Sequence, residues 1–245
     1  MRKIGIIPAR YKSTRFPGKP LVLINGTPMI LLVAKIVEKA LGHENTYIAT
    51  EDDRIKDVVT SAGYKVIMTT DNCLTGTDRV WEAAQQVEAD IYLNIQGDEP
   101  LLNPDDINLI ASQKEKYFNY VINGMCILGD GELPTNPNIP KVLTNKNQDL
   151  LYMSRLPIPG IKGIKDQKPL YKKQVCIYAF SYNDLKLFGE SKKKAEFEYF
   201  EDIEILRFFD LNVPIKMIET SGSSAAVDEP SDVLKIEQAI NNMAQ

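Results

Sequence analysis

Four cations, Arg10, Lys12, Arg15 and Lys19, crowd into residues 10–19, a stretch without a single acid that also carries the Ser13 and Thr14 hydroxyls. Cations, hydroxyls and the backbone of Gly18 together suit a polyanion such as a phosphate chain. The same composition also describes a solvated basic loop, and charge by itself does not choose between them. Pro17, Gly18 and Pro20 constrain the loop's path, which favours the binding reading. The second chemical candidate is Asp98-Glu99, inside Gln96-Gly97-Asp98-Glu99-Pro100. Carboxylates are hard ligands for Mg²⁺, which takes one or two of them together with substrate phosphates. The alternative is that the pair only opens the following turn.

Other chemistries are excluded. A P-loop needs Gly where Ser13 stands and Ser or Thr where Pro20 follows Lys19, and no Gly-x-Gly-x-x-Gly follows the first strand. The sole histidine, His43, lies in a Gly42-His43-Glu44-Asn45 turn, so neither a histidine base nor a multi-histidine metal site is available. Cys73, Cys126 and Cys176 are odd in number and widely spaced, which indicates reduced thiols without a disulfide framework or zinc site.

The elements that must position these groups follow from the apolar pattern. Ile4-Gly5-Ile6-Ile7 reads as a buried strand ending at Pro8, so the basic loop leaves the carboxyl end of a strand. Asn25-Gly26 marks a tight turn, and Pro28 opens a helix over 29–41 that stops at Gly42. Strands at 46–50 and 65–68 bracket a helix that starts on Glu51-Asp52-Asp53. A helix over 80–88 follows, N-capped by Thr77 or Asp78, with Arg79 opposing the helix dipole at its start. The strand 90–95 runs directly into Asp98, and a helix spans 104–116. Beyond residue 120 come strand-like runs at 120–125, 139–144, 150–155 and 174–180, with an irregular basic segment over 157–173. Helices are expected over 183–195 and, unbroken, over 196–211, then a strand at 215–219 and a last helix N-capped by Ser231. Lys192-Lys193-Lys194 reads as surface. Strands alternating with helices predict a doubly wound, mostly parallel α/β sheet.

At 245 residues the chain suits a single α/β domain, and 44% hydrophobic with 25% charged residues is ordinary for a globular protein. A net charge of -4 speaks against nucleic-acid binding. No apolar run spans a bilayer and the first residues form a strand pattern, so a cytoplasmic protein without membrane insertion is expected.

The blocks Ile7-Pro8-Ala9-Arg10, Ser13 to Leu21, Gly76-Thr77-Asp78-Arg79, Asn94 to Pro100 and Val227 to Asp232 together closely resemble the CMP-Kdo synthetases, the 3-deoxy-manno-octulosonate cytidylyltransferases. The likeness runs over nearly the whole chain. It implies a nucleotidyltransferase fold that moves CMP from CTP to the anomeric hydroxyl of a sugar acid, releasing pyrophosphate. It implies that Pro8, Ala9, Arg10, Ser13, Arg15, Lys19, Gly76 and Arg79 seat the nucleotide. Asp98 and Asp228 would hold Mg²⁺, with Arg10, Lys19 and Asp98 carrying the catalytic charge stabilisation. Gln96, Ser154, Arg155, Gln174 and Glu204 match acceptor positions, Arg155 suiting a carboxylate by its planar fork. A homodimer follows, with a dimerisation arm at about 150–200.

This chain departs from the family pattern on the acceptor side, reading Gln174-Val175-Cys176 in place of a His and a Gly, and Ile205 where a Gln is usual. The acceptor is thus Kdo or a close analogue, the alternatives being 8-amino-Kdo, another ulosonic acid or a phosphonate. A non-catalytic nucleotide-binding module is the competing class, and intact Lys19, Asp98 and Asp228 favour the enzyme.

Overall fold

The structure is a computed structural model that describes residues 1–12, 16–222 and 225–243. In chain order it comprises β1 (Lys3–Ala9), β2 (Leu23–Ile24), β3 (Thr27–Pro28), α1 (Met29–Leu41), β4 (Thr46–Thr50), α2 (Asp53–Ser61), β5 (Lys65–Met68), α3 (Gly76–Ala84) and β6 (Ile91–Ile95). There follow α4 (Pro104–Lys116), β7 (Val121–Ile127), β8 (Lys141–Thr144), β9 (Leu150–Ser154), β10 (Lys172–Phe180), α5 (Tyr182–Glu190), α6 (Glu196–Glu201), α7 (Arg207–Asp210), β11 (Ile215–Glu219) and α8 (Pro230–Met243).

The sheet runs β11-β7-β10-β6-β1-β4-β5. Its strands pair in parallel except β10, which is antiparallel to both β6 and β7. β4 and β6 are buried at every position, as strands covered on both faces must be. Along β1, Ile4 and Ile6 join the core under α3 and α5, while Ile7 and Ala9 join the core under α1, α2 and α4. The doubly wound, mostly parallel sheet expected from sequence is therefore what the chain forms. Outside it, β8 pairs with the first residues of β10 and with β9, making a small antiparallel extension.

The chain leaves β1 toward β4 on one side and returns to β6 on the other, so order reverses at β1. Ligands in open α/β sheets bind in the crevice at such a switch point, outside the carboxyl ends of the strands. Here those ends are Pro8-Ala9 closing β1 with Arg10 just beyond it, and Gln96-Gly97-Asp98 after β6. Gly97 permits their approach: a Cβ there would stand 3.1 Å from the Pro8 carbonyl oxygen.

Three sequence expectations are corrected. α3 begins at Gly76, four residues early, because Thr75 is the N-cap and its side chain accepts from Asp78 N. The expected long helix over 196–211 is broken into α6, a 3-10 turn at Glu204–Leu206 and α7, with Asp202 in the left-handed region at φ 49. α8 starts at Pro230 rather than after Ser231, and Asp232 Oδ2 accepts from Asp228 N and Glu229 N at 3.1 and 3.0 Å.

Candidate active site

A cavity of about 510 Å³ opens at the switch point. The β1 end contributes Pro8, Ala9 and Arg10, the β6 end Gln96, Gly97 and Asp98, and the α3 start Thr75, Gly76 and Arg79. Lys19, Asp228, Lys194, Asp202 and Glu204 complete the wall.

Lys19 enters from a 3-10 turn that follows Gly18, whose φ of 72 lets the loop close on itself through Gly18 N donating to the Tyr11 carbonyl at 3.0 Å. Its Nζ donates to Asp98 Oδ2 at 2.6 Å and to the Val227 carbonyl at 3.0 Å, and stands 4.0 Å from Asp228 Oδ1. Residues 98 and 228 are drawn together by their backbones as well, Val227 N donating to the Asp98 carbonyl at 2.9 Å. Val227 in turn is fully buried against Ile24, Met29 and Ile236, so packing of α8 on the β2–β3 hairpin fixes where Asp228 points. Two carboxylates, each partly open to the cavity, thus share one ammonium. Hard oxygen donors of this number fit a Mg²⁺ ion that completes its shell with phosphate oxygens and water; among the described residues no cluster of three or more acidic, His or Cys ligands exists to bind one unaided.

Arg79 answers the question its position raised. Its partner at the helix start is Glu51: Arg79 Nη2 lies 2.8 Å from Glu51 Oε2, close but poorly aligned for a hydrogen bond, and Nη1 donates to Thr69 Oγ1. Glu51 Oε1 also accepts from Tyr11 N at 3.2 Å, so one acid steadies both the basic loop and the nucleotide-side helix. By sequence Glu51 is only a helix-start acid, and nothing in its local pattern distinguishes it from Asp52 or Asp53. Cys73, on the same wall, is pushed up to about 12 by burial, so it is a neutral thiol.

The opposite wall is built by residues 194–207. Glu204 Oε1 accepts from Gly76 N at 3.0 Å, and Oε2 accepts from Thr77 N at 2.9 Å and Thr77 Oγ1 at 2.6 Å. A carboxylate from a distant segment therefore caps α3, where the helix dipole favours it. Burial pushes its carboxyl above the usual range, and the three donors pull part of that back. One turn on, Arg207 Nη1 and Nη2 reach Asp78 at 2.8 and 3.1 Å while Nε and Nη2 reach Glu198 at 2.7 and 2.6 Å. The segment is locked to the first turn of α3 at two points.

The site residues expected from sequence divide accordingly. Pro8, Ala9, Arg10, Lys19, Gly76, Arg79, Gln96, Asp98, Glu204 and Asp228 converge on the cavity, while Ser13 and Arg15 lie outside the described residues. Gln174 lines a neighbouring cavity of about 870 Å³ with Glu99 and Cys176, which meets the first at Asp228. There Gln174 Nε2 donates to Asn123 Oδ1 at 2.9 Å, beside a bulge in β10 between Val175 and Tyr178. Burial, with Glu99 and Asp98 close by, pushes the Cys176 thiol up. Ser154 and Arg155 line neither cavity. Ser154 Oγ donates to Glu201 Oε1 at 2.6 Å, and Arg155 spends Nε, Nη1 and Nη2 on the carbonyls of Glu201, Pro137 and Asp202 at 2.5, 2.7 and 2.8 Å. They stand behind the wall and brace it. Lys194, expected on the open surface, belongs to the wall itself.

A basic loop facing paired carboxylates across the switch point of an open α/β sheet is the layout of a nucleotidyltransferase. Residues 4–215 match the family model described as Cytidylyltransferase, and the chain belongs to that family. It is 37% identical to the 3-deoxy-manno-octulosonate cytidylyltransferase 2 of Hydrogenovibrio crunogenus, over 98% of this chain and 99% of that protein. It is also 37% identical to an 8-amino-3,8-dideoxy-manno-octulosonate cytidylyltransferase of Shewanella baltica, over 96% of this chain and 97% of that protein. A solved structure of a CMP:2-keto-3-deoxy-manno-octonic acid synthetase complexed with CTP is similar with a TM-score of 0.91 at 34% identity, covering 99% of this chain and 100% of that one. The family and fold anticipated from sequence are borne out.

Proposed function

We propose that the protein transfers CMP from CTP to the anomeric hydroxyl of Kdo or a close analogue, giving the CMP-sugar acid and pyrophosphate. The observation that carries the reading is the meeting of Lys19, Asp98 and Asp228 at the mouth of the cavity beside Arg10. Arg10 and Lys19 would bind the triphosphate and neutralise charge that grows on its oxygens as the hydroxyl attacks the α-phosphorus. Gly76 and Arg79, held by Glu204 and Glu51, would keep the nucleotide in line for that attack. Asp98 and Asp228 would hold Mg²⁺. That ion would supply charge neutralisation on the triphosphate and acidify a bound hydroxyl. Gln96 and, from the second cavity, Gln174 would face the acceptor.

An 8-amino-Kdo acceptor is the second reading, favoured by relatives of that name matching as well as those named for Kdo. Pyrophosphate release from CTP and Mg²⁺ with each acid in turn separates the two; CTP binding without release for any acid would leave only a nucleotide-binding module. The product would serve lipopolysaccharide or capsule synthesis in the cytoplasm. Among the described residues no helix is long and apolar enough to cross a membrane. A homodimer formed through the 150–200 arm is supported by exposed Leu151, Leu156, Ile164 and Leu170 on and beyond β9. Sedimentation of a dimer would uphold this, and a monomer would remove it.

A further inference from the structure

A 2-keto sugar acid carries its carboxylate on the anomeric carbon itself, next to the hydroxyl that attacks. That anion must enter beside a triphosphate, so it needs a cation that the nucleotide does not occupy. The described cations of the cavity are Arg10, Lys19, Arg79 and Lys194. Arg10 and Lys19 belong to the basic loop, and Arg79 is held by Glu51 on the nucleotide side. Lys194 alone among them stands on the opposite wall, with Glu204 and Asp202. Arg155, whose fork would suit a carboxylate, has its donors committed to three backbone carbonyls.

Lys194 is held by a bond that a ligand can replace. Its Nζ donates to Asp202 Oδ1 at 2.7 Å, and the Asp202 side chain is 69% exposed. Ion pairs this open to solvent contribute little and are readily exchanged. The frame around the pair is rigid by contrast. Asp202 sits at φ 49 with its carbonyl on Arg155 Nη2, Glu201 is fixed by Ser154 Oγ and Arg155 N, and Glu204 is fixed on α3. The wall thus presents one movable cation on a fixed backbone.

We propose that Lys194 is the residue that binds the acceptor's carboxylate, leaving Asp202 for it when the sugar acid enters. This rests on the transferase reading above. No covalent step is added: one ion pair is exchanged for another, and the acceptor's hydroxyl is thereby turned toward the nucleotide. Arg155 and Ser154 are positioning residues for this wall, acting through Glu201 and Asp202.

The test is steady-state kinetics of Lys194→Met, Lys194→Arg, Asp202→Asn and the neighbouring control Lys193→Met with CTP, Mg²⁺ and the preferred sugar acid. Loss of one charge-assisted contact predicts an acceptor KM about tenfold higher or more in Lys194→Met. Its CTP KM should stay within about twofold, since the triphosphate is held elsewhere. Lys194→Arg should recover most of the loss, Lys193→Met should match the wild type, and Asp202→Asn should bind the acid at least as tightly as the wild type. An unchanged acceptor KM in Lys194→Met, or an equal rise in the CTP KM, overturns the assignment. If the wild type releases no pyrophosphate with any acid, the transferase reading fails separately. Calorimetry of the acid with CTP-loaded protein then decides the Lys194 assignment: weaker binding in Lys194→Met upholds it, and equal or absent binding in both proteins overturns it.

Discussion

Lys19 Nζ lies 2.6 Å from Asp98 Oδ2, joining a loop at one end of the chain to the end of β6. Asp228, 130 positions further along, stands 4.0 Å from the same nitrogen. Without the ammonium, two partly exposed carboxylates would face each other across the cavity. Under the proposed function, Asp98 and Asp228 would hold the metal ion and Lys19 would then serve the triphosphate. Lys19→Met is therefore predicted to lower kcat/KM by about 100-fold or more, the scale for losing one preorganised charge stabiliser. Asp98→Asn should raise the Mg²⁺ concentration needed for half-maximal rate, and chelation should stop turnover. Metal titrations of the variants, with thermal melts showing an intact fold, are the check.

The Glu204 cap makes a prediction that separates its structural from its substrate-binding role. If its carboxylate acts mainly by holding Gly76 and Thr77, Glu204→Ala should raise the CTP KM as α3 loosens. A rise confined to the acceptor KM would instead place Glu204 on the sugar acid. Burial raises its carboxyl above the unfolded value, so the folded protein holds this proton more tightly than the unfolded chain. The resulting contribution is fully present below the unfolded pKa and is lost as pH rises through the folded one. Glu204→Gln lacks that dependence. The difference in unfolding free energy between variant and wild type should consequently shift toward the variant as pH rises from 4 through the folded pKa, which urea melts across that range will read.

Arg207 is 1% exposed between Asp78 and Glu198. Removing it leaves two buried carboxylates without their cation. Arg207→Met should cost about 3 to 5 kcal/mol, and pairing it with Glu198→Leu should recover part of that by removing one stranded charge. Equilibrium denaturation of the single and double variants measures both quantities. A loss below about 1 kcal/mol would mean that the bridge does not lock the two segments.

Cys73 shares the cavity wall yet is held neutral, its pKa pushed up to about 12 by burial. Thiolate is the reactive form, so alkylation at pH 7 to 8 should be far slower than for a free cysteine and should slow further with CTP bound. Peptide mapping after timed iodoacetamide treatment tests this; labelling at the free-thiol rate would contradict it.

Much of the site's scaffold is legible in the sequence, because the short apolar runs at 4–7 and 91–95 mark strands that deliver loops to one edge, although β1 does not stop at Pro8 but carries it, paired with Ala49, on to Ala9. The helix bounds of α1 and α4 are equally plain from Pro28, Gly42 and Pro104. What escapes is set by contacts distant in sequence. The break at Asp202 contains neither glycine nor proline, and the bonds from Arg155 to the Glu201 and Asp202 carbonyls hold it. The early start of α3 is hidden because Gly76 is a poor helix former whose N–H finds Glu204 across the fold. Lys194 sits in a triple-lysine run indistinguishable by type from its exposed neighbours, and only the fold at residues 195–204 turns it inward.

The most direct test of the central claim is pyrophosphate release from CTP with Mg²⁺ and a panel of Kdo, 8-amino-Kdo, sialic acids and phosphonates, run beside Lys19→Met. The wild type should release pyrophosphate and form the CMP-sugar acid with Kdo or 8-amino-Kdo, and both should collapse in the variant. Silence with every acid by a wild-type protein that binds CTP would contradict it.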